Sequence, residues 1–153
     1  MAYVSQEARQ ELLGVIAEAV VEVGGALSAL GAAYEALDEQ SGDRLEEQLF
    51  RPVQVAYGRA QRTATGFAER HGLPAPETGA PPSAGLPSQG VRGFIENALE
   101  GVEEADRILI DLQDSMRPVE VGDAELRAGL ADVRELLGQI PDRVQAFLRT
   151  FGR

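Results

Sequence analysis

The sequence predicts an all-α protein: a four-helix bundle with heptad-patterned helices and a long Pro-rich linker between helices 2 and 3. Apolar residues step by three and four along four long segments, which is the spacing of one helix face. Strand signals are nearly absent, because only the five residues 117–121 are extended and β-branched. The linker divides the chain into two helical hairpins, as in many four-helix bundles. We expect one domain over 1–153, large enough to bury a core without disulfides or metals.

The first helix is expected over about 5–38, with Ser5 as its N-cap. Its apolar seam consists of Leu13, Ile16, Val20, Val23, Leu27, Leu30, Tyr34 and Leu37. Small residues such as Gly24 flank the seam and let a neighbouring backbone come close, so this helix should be the most buried. Glu18 and Glu22 interrupt its apolar stretch, and each would cost about 2.5–3.5 kcal/mol at a bilayer centre if glutamate behaves as other charged residues do. We therefore expect no transmembrane segment and, given the acidic N-terminus, no signal peptide.

The second helix is expected over about 43–71. Asp43 and Glu46 have the spacing of a capping box at its start. Gly72, followed by an apolar residue and a proline, is typical of a left-handed cap at its end. Pro52 lies inside the helical pattern and should kink or restart the helix, because proline lacks the N–H donor and its ring clashes with the preceding turn.

Residues 72–88 form a flexible linker rich in Pro, Gly and Ala, which holds five of the eight prolines. A Pro-rich chain extends about 3.1 Å per residue, so this linker can reach roughly 50 Å. That is comparable to the length of a helix of nearly thirty residues, roughly 44 Å. The linker therefore permits either a crossover that leaves helices 2 and 3 parallel or a loose antiparallel hairpin.

The third helix is expected over about 88–115 with Ser88 as N-cap, and the fourth over about 123–151 with Asp123 as N-cap. Both repeat the steps of three and four. A glycine and a proline near Ile140 should bend the fourth helix without moving its seam out of phase, so both parts should face the same core.

Composition excludes several classes of function. The chain has 25 acidic residues, 14 basic residues and a net charge of -11, which disfavours nucleic acid and anionic membrane surfaces as partners. It has no cysteine, so disulfide scaffolds, cysteine nucleophiles, zinc fingers and iron–sulfur clusters are excluded. All basic residues are arginine, which is typical of a GC-rich, bacterial coding genome. We expect a cytoplasmic protein that does not insert into membranes.

No pattern in the sequence supports catalysis, and we expect no enzyme, cofactor or metal. The carboxylate-bridged metal pairs of helical bundles need Glu-x-x-His motifs, and this chain has a single histidine without one. His71 stands at the end of a predicted helix, where a cation complements the helix dipole. No nucleophile elbow or phosphate-binding loop occurs.

Two sets of residues are candidate binding sites. The first is aromatic and could line a cavity beside the thin seam of the second helix, unless large residues of helices 3 and 4 fill that space; its members are Tyr34, Tyr57, Phe50 and Phe67. The second is acidic and lies off the seam of the third helix; its members are Glu96, Glu100, Glu103, Glu104 and Asp111. The acidic set is consistent with a docking surface for a basic partner, a cation patch or a solvated outer face.

These observations favour a non-enzymatic interaction or scaffold protein, which binds another protein or a second copy of itself in a homodimer. One alternative is a carrier that holds a small apolar ligand between kinked helices. A second alternative is an amphipathic coat protein of lipid or polymer granules. The three hypotheses differ in what the exposed helix faces contact.

Overall fold

The computed structural model of the chain describes residues 5–76 and 82–151, and every regular element in these ranges is a helix. The elements are α1 (Gln6–Glu35), α2 (Glu39–Leu45), a π-helical turn (Glu46–Phe50), α3 (Arg51–Arg70), a 3-10 turn (Pro87–Gln89), α4 (Gly90–Asp114), α5 (Arg117–Glu120), α6 (Ala124–Gly138) and α7 (Ile140–Phe151). The predicted all-α class is confirmed, and the long helices are compatible with a four-helix bundle. The middle of the predicted linker, 77–81, lies outside the described residues.

Helix α1 is the central element of the core and packs against both α3 and α4. The hydroxyl of Ser5 accepts a hydrogen bond from Ala8 N at 3.0 Å, so the predicted N-cap is confirmed. By length and composition α1 could cross a membrane, but 56% of its most apolar window is buried inside the structure. A core helix passes the same test. The helix ends at Glu35, three residues before the predicted end, and Tyr34 is 41% exposed at the turn that follows.

The second helical segment begins earlier than predicted. Asp38 is the N-cap and accepts a hydrogen bond from Ser41 N at 2.7 Å, so the capping box expected at Asp43 and Glu46 is wrong. Asp38 precedes Asp43 and caps the chain as soon as it leaves the α1 turn. Asp43 therefore lies inside a helix that has already started.

Pro52 is accommodated by a change of helix type. The turn Glu46–Phe50 is π-helical, and Arg51 N donates to Glu46 O, five residues back. The wider turn comes just before Pro52 and makes room for a ring that would clash with a regular α-helical turn. The chain then restarts as α3, in agreement with the predicted restart.

Contacts along the helices give their relative directions. Helix α3 runs antiparallel to α1. At the start of α1, Gln6 Nε2 donates to His71 O, just past the end of α3, at 2.8 Å. Farther along α1, Gly24 lies under the ring of Tyr57, in the first half of α3. Helix α4 also runs antiparallel to α1. Gly101 contacts Glu22 and Ala26, whereas Asn97, one turn earlier in α4, lines a groove together with Ala29, which lies later in α1. Helices α3 and α4 therefore run in the same direction.

The second half of the chain departs from expectation at its start. Ser88 lies within the 3-10 turn and makes no capping hydrogen bond, so its predicted role as N-cap is wrong. The chain enters α4 through Gly90, whose φ of 70° lies in the left-handed region that favours glycine. Asp123 caps α6 as predicted, accepting from Leu126 N at 2.9 Å. The predicted bend near Ile140 is present as the break between α6 and α7.

Candidate functional site

The acidic set predicted on the third helix lies on the surface of α4, but its members differ in their partners. Arg107 binds two of them, with Nε donating to Glu104 at 3.0 Å and Nη1 donating to Asp111 at 2.9 Å. Glu96, Glu100 and Glu103 are exposed and form no ion pair with any described residue. We call these three residues the acidic ridge. Their spacing of four and three residues places them on one face of the helix.

A groove of about 440 Å³ runs beside the acidic ridge, between α1 and α4. Three glutamates line it: Glu22 from α1, and Glu100 and Glu104 from α4. Burial, and secondarily the charge of Glu104, raise the pKa of Glu22. The hydrogen bond from Arg107 lowers the pKa of Glu104 and outweighs the effect of its own desolvation. The groove therefore extends the negative surface of α4 toward α1.

The second half of the linker borders this groove and is fixed to it. Pro82 packs so closely on Gly25 that a Cβ added there would lie 2.9 Å from the proline Cδ. Asn97 Nδ2 donates to Ala84 O at 3.0 Å and to the side chain of Gln89 at 3.1 Å. Gly85 bends the segment with a φ of 115°. The linker consequently forms one wall of the groove.

The four aromatic residues predicted to line a ligand cavity do not come together. Tyr34 contacts Gly42 of α2, near the turn that joins α1 to α2. Tyr57 contacts Gly24, about three helical turns before Tyr34 in α1. Phe67 is fully buried against the ring of His71, and Phe50 is half-buried in the π-helical turn; these two lie at opposite ends of α3.

The cavity between α1 and α3, about 570 Å³, is lined by other residues. Its lining includes Val20, Gly58, Gln61 and Arg62, but none of the four predicted aromatic residues. Phe94 and Phe147, two large residues of the second half, are buried in the core.

A polar cluster that the sequence did not reveal joins the end of α3 to the start of α6. Asp123, with a side chain only 6% exposed, accepts two hydrogen bonds from Arg70, both at 3.0 Å, and pairs with His71 Nε2 at 2.9 Å. Burial alone would raise the pKa of Asp123, but hydrogen bonds from Leu126 N, His71 and Arg70 outweigh it and lower that pKa. We call these residues the Asp123 cluster. His71 is therefore held by a carboxylate as well as standing at a helix end.

Within residues 5–76 and 82–151, no three histidine, aspartate or glutamate side chains are arranged to hold a metal ion. The Asp123 cluster fixes its carboxylate with three donors and occupies a helix junction, an arrangement suited to holding two helices together. The carboxylates of the acidic ridge, by contrast, are exposed and form no ion pair with a described residue.

Comparisons with protein-family models, curated proteins and solved structures found no match to this chain.

Proposed function

We propose that this chain is a non-enzymatic interaction protein, folded as a four-helix bundle of heptad-patterned helices in which the Pro-rich segment is the crossover. Its docking surface is the acidic ridge, and its partner is a protein surface rich in arginine or lysine. The observation that carries this proposal is the exposure of Glu96, Glu100 and Glu103 on one helix face, without ion-pair partners among the described residues.

Charge supports a basic partner over a second copy of the chain. With a net charge of -11, two copies repel each other at long range, whereas a basic surface is attracted. The acids of the ridge are solvated, so each contributes modestly on its own. A set of three on one face would act mainly by speeding association and by selecting partners of the right charge.

The test is a comparison of two variants with equal charge changes. The ridge variant carries Glu96→Gln, Glu100→Gln and Glu103→Gln, and the control carries Glu18→Gln, Glu47→Gln and Glu135→Gln, at exposed acids on other helices. Native mass spectrometry of protein purified from its own cells identifies any retained partner. Binding of that partner is then measured for each variant by titration calorimetry.

We expect the ridge variant to bind the partner at least about tenfold more weakly, with a slower association rate, and the control to bind as the unchanged chain does. Equal weakening by both variants would show that only net charge matters and would reject the ridge as the docking surface. Copurification of a second copy alone, unaffected by the ridge variant, would also contradict the proposal.

A further inference from the structure

Another groove lies between α2 and α7, and its charged lining residues are arginines. Its volume is about 490 Å³, within the range of small-molecule sites. Five residues line it: Arg44, Gln48, Arg143, Ala146 and Thr150. We call it the arginine groove.

The guanidinium of Arg44 is already positioned in the free protein. It lies 5.6 Å from the centre of the Phe147 ring, in cation–π geometry, and it donates to the hydroxyl of Thr150. That hydroxyl in turn donates to Phe147 O at 2.9 Å. A group fixed in this way loses little further freedom when a ligand binds, which favours affinity.

The two arginines of this groove are not ion-paired within the described part of the chain. Four of the described arginines are ion-paired with carboxylates: Arg59 with Asp132, Arg70 with Asp123 and Glu125, Arg107 with Glu104 and Asp111, and Arg134 with Asp106. Neither Arg44 nor Arg143 forms an ion pair with a described carboxylate.

The groove and the cavity described above differ in this respect, because acids line both. The groove between α1 and α4 is lined by three glutamates, and in the cavity between α1 and α3 Arg62 shares the lining with Glu69. In a chain with 25 acids and 14 arginines, this groove is lined by two arginines and no acid, so it suits an anion better than the two acid-lined pockets do.

We propose that the arginine groove binds a small amphiphilic anion. The carboxylate or phosphate headgroup is held by Arg44 and Arg143, because guanidinium groups match the planar geometry of these anions and stay charged. The side-chain amide of Gln48 supplies a further hydrogen-bond donor, and a short apolar tail lies along Ala146 and the aliphatic stems of the arginines. This site is independent of the acidic ridge and does not rest on the proposed partner.

The experiment titrates the full chain, labelled with ¹⁵N, with three probes that share an eight-carbon tail: octanoate, octyl phosphate and octanol. Amide shifts of Gln48, Ala146 and Thr150 report binding in the groove. The substitutions are Arg143→Gln, at an exposed residue, and Arg44→Gln; the control is Arg127→Gln, an exposed arginine on α6 that is outside the groove.

We expect at least one anionic probe to bind about tenfold or more tightly than octanol and to shift the groove resonances. Each groove substitution should weaken that probe about tenfold, and the control should not. The stronger of octanoate and octyl phosphate identifies the headgroup. If Arg44→Gln disturbs the packing of Phe147, Arg143→Gln alone decides.

Three results would overturn the site. They are binding of octanol as tight as that of both anions, unchanged affinity in Arg143→Gln, and absence of groove shifts with either anion up to its solubility limit.

Discussion

At the residue scale, the most informative side chain is Asp123, because one carboxylate caps α6 and also binds Arg70 and His71 from α3. The two roles can be separated by substitution. Asparagine keeps an oxygen that can accept from Leu126 N but removes the charge, whereas alanine removes both. The difference between these variants measures the cap on its own.

We expect Asp123→Asn to lower the free energy of unfolding by about 1–3 kcal/mol at neutral pH, since it leaves Arg70 and His71 without their buried anion. Asp123→Ala should cost about 1 kcal/mol more, the usual value of an N-cap. Urea denaturation measures both. The matched control is Asp132→Asn, in the exposed pair with Arg59, which should change stability by less than about 1 kcal/mol. An equal loss in Asp132→Asn would contradict a special role for the cluster.

The same carboxylate predicts a pH dependence. The folded pKa of Asp123 is lowered, so its stabilisation is complete above its unfolded pKa, near 3.9, and is lost as pH falls through the folded value. The stability gap between the unchanged chain and Asp123→Asn should therefore be constant near neutrality and close below about pH 4. A gap that persists fully under acid would show that packing, not charge, accounts for it.

Ionisation of Glu22 should have the opposite effect on stability to ionisation of Asp123. Its folded pKa is raised by burial and by Glu104, so its charged form destabilises the fold, and the penalty disappears as pH falls through that raised pKa. We expect Glu22→Gln to stabilise the protein at pH 7, by less than about 1 kcal/mol, and to have no effect in acid. Chemical denaturation at two pH values measures this. Glu18→Gln, at an exposed residue one turn earlier, is the control and should show neither effect.

At the element scale, the close approach of α3 and α6 depends on Gly129. A Cβ added there would lie 2.8 Å from Thr63 Cγ2 and 3.1 Å from Thr63 Cβ. Thr63 is itself held by a hydrogen bond to Arg59 O at 2.8 Å, so it cannot easily turn away. The interface between these helices therefore requires glycine at this position.

We expect Gly129→Ala to lower the melting temperature, through overpacking worth about 1–3 kcal/mol. Gly14→Ala on α1, where nothing lies within 4 Å of the added Cβ, should instead stabilise the protein by up to about 1 kcal/mol through helix propensity. Adding Thr63→Ala to Gly129→Ala should recover part of the loss. If the stability lost in the double variant equalled the sum of the losses in the two single variants, the close contact between residues 129 and 63 would not be the cause of the destabilisation.

The helix ends show which capping residues can be predicted from the sequence. Ser5 and Asp123 cap the helices predicted for them, because each lies just before the first helical residue and its side-chain oxygen accepts from the backbone N–H three residues on. Asp43 and Ser88 look alike in sequence but do not cap, since Asp38 offers an earlier acceptor and Gly90 sets the entry to α4. The predicted restart at Pro52 was right, but the π-helical form of the turn before it could not be read from periodicity.

The candidate site was predictable only in part. Steps of three and four residues placed Glu96, Glu100 and Glu103 on one outer face, since that position follows from helix geometry. The Asp123 cluster and the arginine groove join residues from distant elements, whose proximity depends on the direction of each helix. The aromatic residues failed to meet for the same reason, because Tyr34, Tyr57 and Phe67 contact different partners along the bundle.

At the scale of the whole molecule, charge is distributed unevenly. Acidic residues concentrate on α4, whereas the arginine groove lies between α2 and α7. Repulsion within the acidic surface should destabilise the fold at low ionic strength. We expect the melting temperature to rise as salt increases from about 0.01 M to about 1 M, where the Debye length falls from about 30 Å to about 3 Å.

Differential scanning calorimetry of the unchanged chain and the ridge variant checks this expectation. Removing three of the acids should flatten the salt dependence. The control variant with acids changed on other helices should flatten it less, because those charges are farther apart. A salt response that is the same in all three proteins would assign the effect to general salting-out.

The packing of α1 against α4 has a consequence for biosynthesis. The most apolar helix, α1, is made first, but its long partner α4 begins only at Gly90, about 55 residues after α1 ends at Glu35. At about 5–20 residues per second, a ribosome needs roughly 3–11 s to reach even the first residue of that partner. During this interval the nascent chain carries an apolar helix that only the α2–α3 segment can cover, so the face that α4 will bury stays exposed to water.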